Sequence, residues 1–185
     1  MIIGLTGTMA AGKTTVARML VDEGFTHLTY SDILRKVAKE KGIEPTREAL
    51  QKLGTTLKNE QGPAVLSKML LARDHEDIVA DGIRTLPEIE ELKLHGAVIW
   101  AVVASAETRF SRLKSRGRSG DPQTLEEFKK LDEIENSGST SGQDINACVA
   151  AADATLENEE TLEALEEQVQ TELAALAEED SEEAP

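Results

Sequence analysis

The chain has 185 residues, 39% of them hydrophobic, a length and composition that suit one soluble globular domain with a sizeable core. No apolar run approaches the roughly 20 residues of a membrane span, Met1–Thr6 lacks a basic leader and a cleavage site, and the lone Cys148 excludes an internal disulfide or a thiolate metal cluster, so a cytoplasmic protein away from membranes is the expectation. The net charge of −15 is a C-terminal property, because all 20 Lys and Arg lie within residues 1–130 while residues 131–185 hold 17 of the 35 acids and no base; so negative a tail argues against a nucleic-acid partner, whose phosphates call for clustered Lys and Arg.

In chain order, apolar runs and helical spacings alternate. Ile2–Thr6 reads as a buried strand ending in glycine. Lys13–Glu23 is helical and stops at Gly24. Phe25–Tyr30 reads as a second strand, and Ser31 as the N-cap of a helix to Lys41, before Gly42. Helices follow at about 46–60 and 63–73, with Pro63 in a first turn. Ile78–Ala80 is a strand ending at Asp81-Gly82, and Pro87 opens a helix to about His95. Ala97–Ala104 is the most strand-like run, with Trp100 in the core. Glu107–Arg116 is helical, 117–122 a polar loop, and Thr124–Glu135 and Asp144–Ala151 are helical. The SGSTSG run at 137–142 reads as a mobile loop. Ala154–Glu157 is a last strand and Glu160–Ala177 a last helix, fraying beyond Leu176 into an acidic tail over 179–185. Strands separated by helices predict an α/β fold, a parallel sheet covered on both faces, with ligands outside the carboxyl ends of its strands.

One motif carries chemistry directly. Residues 7–14, GTMAAGKT, fit G-x-x-x-x-G-K-[ST] between a strand and a helix, the context that the motif requires. Gly7 and Gly12 let the backbone curl with its N–H groups inward. The helix N-terminus adds partial positive charge, and Ala10 and Ala11 keep the loop narrow. Gly7, Thr8, Met9, Ala10, Ala11, Gly12, Lys13, Thr14 and Thr15 are thus the candidate cradle for ATP phosphates. Lys13 reaches the terminal phosphates, and the Thr14 hydroxyl is a ligand for Mg²⁺.

Three further stretches, YSDILRKV at 30–37, VADGIRTLPEIEEL at 79–92 and ETRFSRLKSRGRSGDP at 107–122, make residues 1–160 resemble the small P-loop nucleotide kinases, adenylate kinase-related and dephospho-CoA kinase-like. The resemblance implies a three-layer fold with a five-stranded parallel sheet and a small lid. It implies a domain over residues 1–178, acceptor-binding helices at about 31–73 and a lid at about 112–140. Asp32 and Arg35 match an Asp-x-x-Arg element whose arginine binds the acceptor's phosphate. An i,i+3 salt bridge is the alternative for that pair. Asp81-Gly82-Ile83-Arg84 matches an element that places Asp81 near Mg²⁺ and Arg84 on the acceptor phosphate; a turn-forming aspartate and a surface charge are the alternatives. Arg109, Arg112, Arg116 and Arg118 match a lid that supplies arginines to the transferring group, with Gly117 and Gly120 as hinges. Arg112 and Arg116 are the catalytic candidates beside Lys13 and Asp32. A solvated basic face is the alternative. The turn in ATLENEETLEAL resembles the end of dephospho-CoA kinases and brings Asn158 toward adenine.

The loop departs from adenylate kinases at Ala10-Ala11, and Lys129 and Lys130 are the only bases after residue 124. The implied activity is transfer from Mg·ATP to a phosphorylated small molecule. The acceptor is a nucleoside monophosphate or dephospho-CoA, and a non-catalytic ATP/AMP sensor is a further alternative. No N-K-x-D guanine motif occurs, against a GTPase. His27, His75 and His95 show no ligand spacing and read as core or surface residues. The sequence carries no signal of oligomeric state.

Overall fold

Strand and helix alternate as the periodicities predict. The computed structural model describes residues 1–73, 75–117, 121–136 and 143–182. In chain order it places β1 (Ile2–Thr6), α1 (Lys13–Asp22), β2 (Thr26–Thr29), α2 (Tyr30–Glu40), α3 (Arg47–Gln61), α4 (Val65–Leu71), β3 (Ile78–Asp81), α5 (Leu86–Lys93), β4 (Ala97–Val103), α6 (Ala106–Arg116), α7 (Leu125–Asn136), α8 (Ile145–Ala150), β5 (Ala154–Glu157) and α9 (Leu162–Glu182).

The strands pair in parallel in the order β2-β3-β1-β4-β5. β1 is central, with Ile2 opposite both Ile78 of β3 and Ala97 of β4. It is covered on both faces, which is why its sequence is a near-continuous apolar run rather than an alternating one. Neighbouring residues of the other strands face opposite layers. Ile78, Ala80, Ala97 and Ile99 pack with Ile33, Leu57, Leu70 and Ile89 of the helices on one face. Ile3, Leu5, Val79, Trp100 and Val102 pack with Val16 and Leu20 of α1 and Leu165 and Val169 of α9 on the other. Trp100 is fully buried, as expected.

After β1 the chain crosses to β2, beyond β3; after β3 it crosses back over β1 to β4. Strand order reverses at the carboxyl end of β1, the position where an open parallel sheet leaves a crevice for ligand.

Several boundaries differ from the sequence expectation for local reasons. α2 begins at Tyr30, and its cap is Thr29 rather than Ser31. The Thr29 hydroxyl accepts from the Asp32 amide at 2.9 Å and donates to Asp32 Oδ2 at 2.8 Å. Tyr30 is already helical because its ring is in the core and its hydroxyl shares a 2.6 Å hydrogen bond with Ser67. Pro63 precedes α4 instead of lying in its first turn, since Gly62 turns the chain with φ 99° and Ala64 is the N-cap. α9 continues to Glu182, six residues past Leu176. Residues 179–182 of the expected tail are therefore helical, and 183–185 lie outside the described residues. So do the expected mobile loop at 137–142 and, within the expected lid, Arg118 and Gly120. No described helix is long and apolar enough to cross a membrane.

Candidate active site

The loop after β1 owes its shape to two glycines. Gly7 has φ +133°, and a Cβ there would lie 2.1 Å from the Val102 carbonyl oxygen, so the loop leaves β1 in backbone contact with β4. Gly12 is the left-handed residue before α1, with φ +113°. Among the described residues Ala10 is the one non-glycine with positive φ, at 62°. Of the first-turn amides of α1, those of Thr15 and Val16 donate to the Gly12 carbonyl at 2.8 and 3.2 Å, and those of Lys13 and Thr14 open the helix just past the carboxyl end of β1, where the helix N-terminus carries partial positive charge. Lys13 folds back over the loop, its Nζ donating to the Gly7 carbonyl at 2.6 Å and the Thr8 carbonyl at 3.0 Å. The Thr8 hydroxyl is buried without a hydrogen-bond partner among the described residues.

Three side chains hold the outer carbonyls of this loop. Arg109 Nη1 donates to the Met9 carbonyl at 3.3 Å. Arg112 Nη1 donates to the Ala11 carbonyl at 3.3 Å, and Asn158 Nδ2 donates to the same carbonyl at 2.8 Å. Arg112 Nη2 then bonds Asn158 twice, at the carbonyl (2.8 Å) and at Oδ1 (3.0 Å). Carbonyls drawn outward turn the intervening N–H groups inward, the polarity a phosphate cradle needs. Both polar atoms of the Asn158 carboxamide are thus committed to the protein, and the residue is buried. In this structure Asn158 braces the loop, with Nδ2 on the Ala11 carbonyl and Oδ1 on Arg112.

α6 presents its arginines to one side as their spacing predicts, but with different partners. Arg109 is buried. It makes a two-point ion pair with Asp132 of α7, donates Nε to the Ala104 carbonyl at 2.9 Å and stacks 5.1 Å from the Phe128 ring centroid. Arg116 pairs with Asp121 at 3.1 Å and is about one third exposed. The start of α6 is capped by Ser105, whose hydroxyl accepts from the Thr108 amide at 3.2 Å. Glu159 accepts from the Ser105 amide and from the hydroxyls of Thr108 and Ser105. The Ser105 amide, the Thr108 hydroxyl and, further off, the Arg112 charge hold the Glu159 carboxyl below its usual range.

Loop, α6 and β3 meet in an open cleft of about 230 Å³ lined by Ala10, Gly12, Lys13, Thr14, Asp81, Arg112 and Arg116. Three of these side chains are cationic and one, Asp81, is anionic. Asp81 is largely buried and receives His27 from the neighbouring strand, with Nε2 3.1 Å from Oδ2. Asp32, Arg35 and Arg84 lie outside the lining of this cleft. Asp32 and Arg35 form the exposed i,i+3 pair at 2.8 Å, and Arg84 Nη1 donates to Gln143 Oε1 at 2.8 Å. The turn that carries Asp81 and Arg84 is anchored by Glu88, which is 1% exposed. Its Oε2 accepts from the Arg84 amide (2.8 Å) and the Thr85 amide (3.1 Å), and its Oε1 pairs with Lys58 of α3 at 2.8 Å.

The donor set fits a magnesium ion: a hydroxyl (Thr14) and one carboxylate (Asp81) face the same cleft. Mg²⁺ takes one or two protein oxygens, keeps water and shares substrate phosphates, whereas transition metals ask for clustered ligands. Among the described residues no group of three or more His, Cys, Asp or Glu is placed to hold a metal.

Sequence reasoning left out His27, Asp132 and Glu88. Glu88 had a local signal, Thr85-x-x-Glu88 before an apolar helix. His27 and Asp132 had none, because each meets its partner only through the sheet register or the packing of α6 on α7.

A family model described as an AAA domain matches residues 6–129. A UPF0200 protein of Hyperthermus butylicus is 36% identical over 181 residues, 95% of each chain. A UPF0200 protein of Thermococcus gammatolerans is 32% identical over 183 residues, 92% of this chain and 93% of that one. Among solved structures, TT1252 from Thermus thermophilus superposes with a TM-score of 0.64 at 24% identity, over 95% of this chain and 97% of that one. Shikimate kinase from Acinetobacter baumannii in complex with shikimate has a TM-score of 0.59 at 18% identity, over 100% and 95%. A gluconokinase from Sinorhizobium meliloti has a TM-score of 0.58 at 15% identity, over 99% and 97%. The fold is that of the P-loop kinases.

Proposed function

This chain belongs to the UPF0200 family, and we propose that it transfers the terminal phosphoryl group of Mg·ATP to a small phosphorylated acceptor, a nucleoside monophosphate, with dephospho-CoA as the second reading. The observation that carries this is the convergence of the glycine loop, Lys13, Thr14, Asp81, Arg112 and Arg116 on one cleft at the carboxyl end of β1.

Each group has a distinct part. The amides of residues 7–15 bind the polyphosphate, and Lys13 exchanges its loop carbonyls for the terminal phosphate oxygens. Thr14 and Asp81 would hold the magnesium, which would supply charge neutralisation on the phosphates. Phosphoryl transfer asks for little covalent chemistry, so positioned cations account for most of the catalysis. Arg112 acts from a fixed place, since Asn158 and Ala11 already orient it. Arg116, about one third exposed, exchanges its pair with Asp121 for phosphate oxygens. Arg35 and Arg84 receive the acceptor phosphate, with Asp32 orienting Arg35. The exposed Asp32–Arg35 pair is worth about 0.5 kcal/mol, less than a bidentate arginine–phosphate contact, so releasing it costs little.

The test is ADP release from Mg·ATP with AMP, CMP, dCMP, dephospho-CoA and shikimate as acceptors, with the product identified by ³¹P NMR. Acceptor-dependent ADP release with a nucleotide or dephospho-CoA is the expected result. ADP release that no phosphorylated acceptor stimulates ends this reading of the acceptor, and tight ATP binding without turnover supports a sensor instead.

A further inference from the structure

The chemistry of the cleft poses a problem that its lining does not solve. Lys13, Arg112 and Arg116 share the cleft with a single carboxylate, Asp81. An unrestrained carboxylate among three cations swings onto one of them, because an ion pair at contact is worth more than an open position. A carboxylate held in two-point contact by an arginine has both oxygens engaged and none left for a metal or its water shell.

His27 meets Asp81 without lining the cleft. It lies on β2 opposite Val79, while Asp81 lies two residues further along β3, opposite Thr29. Side chains two apart on a strand share a face, so the register alone puts His27 and Asp81 diagonally adjacent. The ring Nε2 lies 3.1 Å from Asp81 Oδ2. The side chains are 25% and 14% exposed, so the contact is more than a surface pair. It engages one carboxylate oxygen only; among the described residues no hydrogen bond to Oδ1 is formed. The arrangement resembles the outer partners that orient metal-ligating carboxylates elsewhere, which fix the ligand without touching the metal.

We propose that His27 is a positioning residue for Asp81: its Nε2–H holds Oδ2 on the sheet side, keeps the carboxylate off Lys13, Arg112 and Arg116, and leaves Oδ1 to the magnesium shell of bound ATP. This rests on the reading of the cleft as an Mg·ATP site.

Calorimetric titration of the full chain tests it without reference to turnover. ATP is titrated once in EDTA and once in saturating MgCl₂, into the wild type, His27→Leu and His27→Gln. Outer partners of metal ligands are worth about 10- to 100-fold in metal affinity. The expected result is that His27→Leu leaves the EDTA affinity within about twofold and weakens the MgCl₂ affinity by about tenfold or more. His27→Gln, which keeps an N–H donor, recovers most of that loss. A merely structural histidine lowers the melting temperature and moves both arms together. Wild-type values in both arms of His27→Leu overturn the proposal, as does a glutamine variant as weak as the leucine one. If His27→Leu does not fold, His27→Ala gives the same comparison. A wild type that binds no ATP in either arm overturns the reading of the cleft itself, and a wild type indifferent to magnesium overturns the metal role of Asp81; either takes this proposal with it.

Discussion

Arg109 and Asp132 form a buried two-point ion pair, Nη1 to Oδ1 at 2.5 Å and Nη2 to Oδ2 at 2.7 Å, with side chains 6% and 13% exposed. The same guanidinium donates to the Met9 carbonyl. A single side chain therefore ties α7 to the phosphate loop. Removing Asp132 leaves a buried arginine uncompensated, which costs about 3–5 kcal/mol. Asp132→Ala is expected to lower the melting temperature by roughly 10 °C for a chain of this size, measured by circular dichroism. It also frees Arg109 to leave Met9, so ATP affinity falls beyond what partial unfolding explains.

Lys13 behaves oppositely. Its Nζ donates to two loop carbonyls at the cleft. Lys13→Ala is expected to move stability by less than about 1 kcal/mol and to lower kcat/KM by about 10²- to 10³-fold, the effect of losing one donor to a developing charge. Turnover equal to the wild type removes the kinase reading.

How far the sequence anticipates this architecture follows from what is local. The loop was legible because strand, glycines, lysine and helix are contiguous, and each constrains the next. The sheet was legible because its strands are buried on both faces and read as apolar runs. Arg112 was anticipated at the cleft, but the sequence does not reveal its grip on Asn158 and Ala11, which joins residues far apart in the chain. Arg109 and Arg112 look alike on a helical wheel. Only the packing of Phe128 and Asp132 against α6 turns one into a buried strut and leaves the other at the cleft. His27 read as an ordinary histidine because its partner is 54 residues away and is set by strand register. The Ser31 cap was misplaced because Thr29 and Ser31 are both good caps by composition, and burial of Tyr30 decides between them.

The two loop glycines make a contrast that checks the geometry. At Gly7 an added Cβ meets backbone, the Val102 carbonyl oxygen at 2.1 Å, which cannot yield without separating the loop from β4. At Gly12 it meets the Asn158 amide nitrogen at 2.1 Å, the end of a side chain. Both positions have positive φ, so both substitutions carry a strain of about 1–3 kcal/mol. Gly7→Ala is expected to be the more destabilising by at least about 2 kcal/mol in denaturant melts. Gly12→Ala folds but displaces Asn158 from Ala11. The double variant Gly12→Ala/Asn158→Ala is then no less stable than Gly12→Ala alone, a non-additivity that two unrelated sites do not show.

Acid titration reports on the N-terminal cap of α6. The Ser105 amide lowers the Glu159 carboxyl, and the Lys129 ammonium lowers that of Glu107. A group with a lowered native value contributes stability above the ordinary carboxylate range, about 4.3, and loses it as pH falls through the native value. The melting-temperature gap between wild type and Glu159→Gln is therefore expected to be open at pH 7 and to close as pH falls below the ordinary carboxylate range, about 4.3. A gap that widens toward low pH contradicts this assignment of the cap.

Cys148 supplies the alkaline counterpart. Burial, and then the negative charge of Glu88, push its thiol up to about 12. The native state thus keeps a proton that the unfolded thiol loses near pH 8.5. The resulting stability is full below that value and is lost as pH rises toward the native one. Since the thiolate is the reactive form, native Cys148 is shielded twice, by burial and by its proton. As the chain's single cysteine, it makes labelling with a chromogenic disulfide at pH 8 a clean reporter of opening. Labelling in native buffer is expected to be at least about 10³-fold slower than in denaturant, because it waits on exposure of the face where α8 packs on the sheet. Rapid native labelling places Cys148 outside the core and removes the alkaline effect with it.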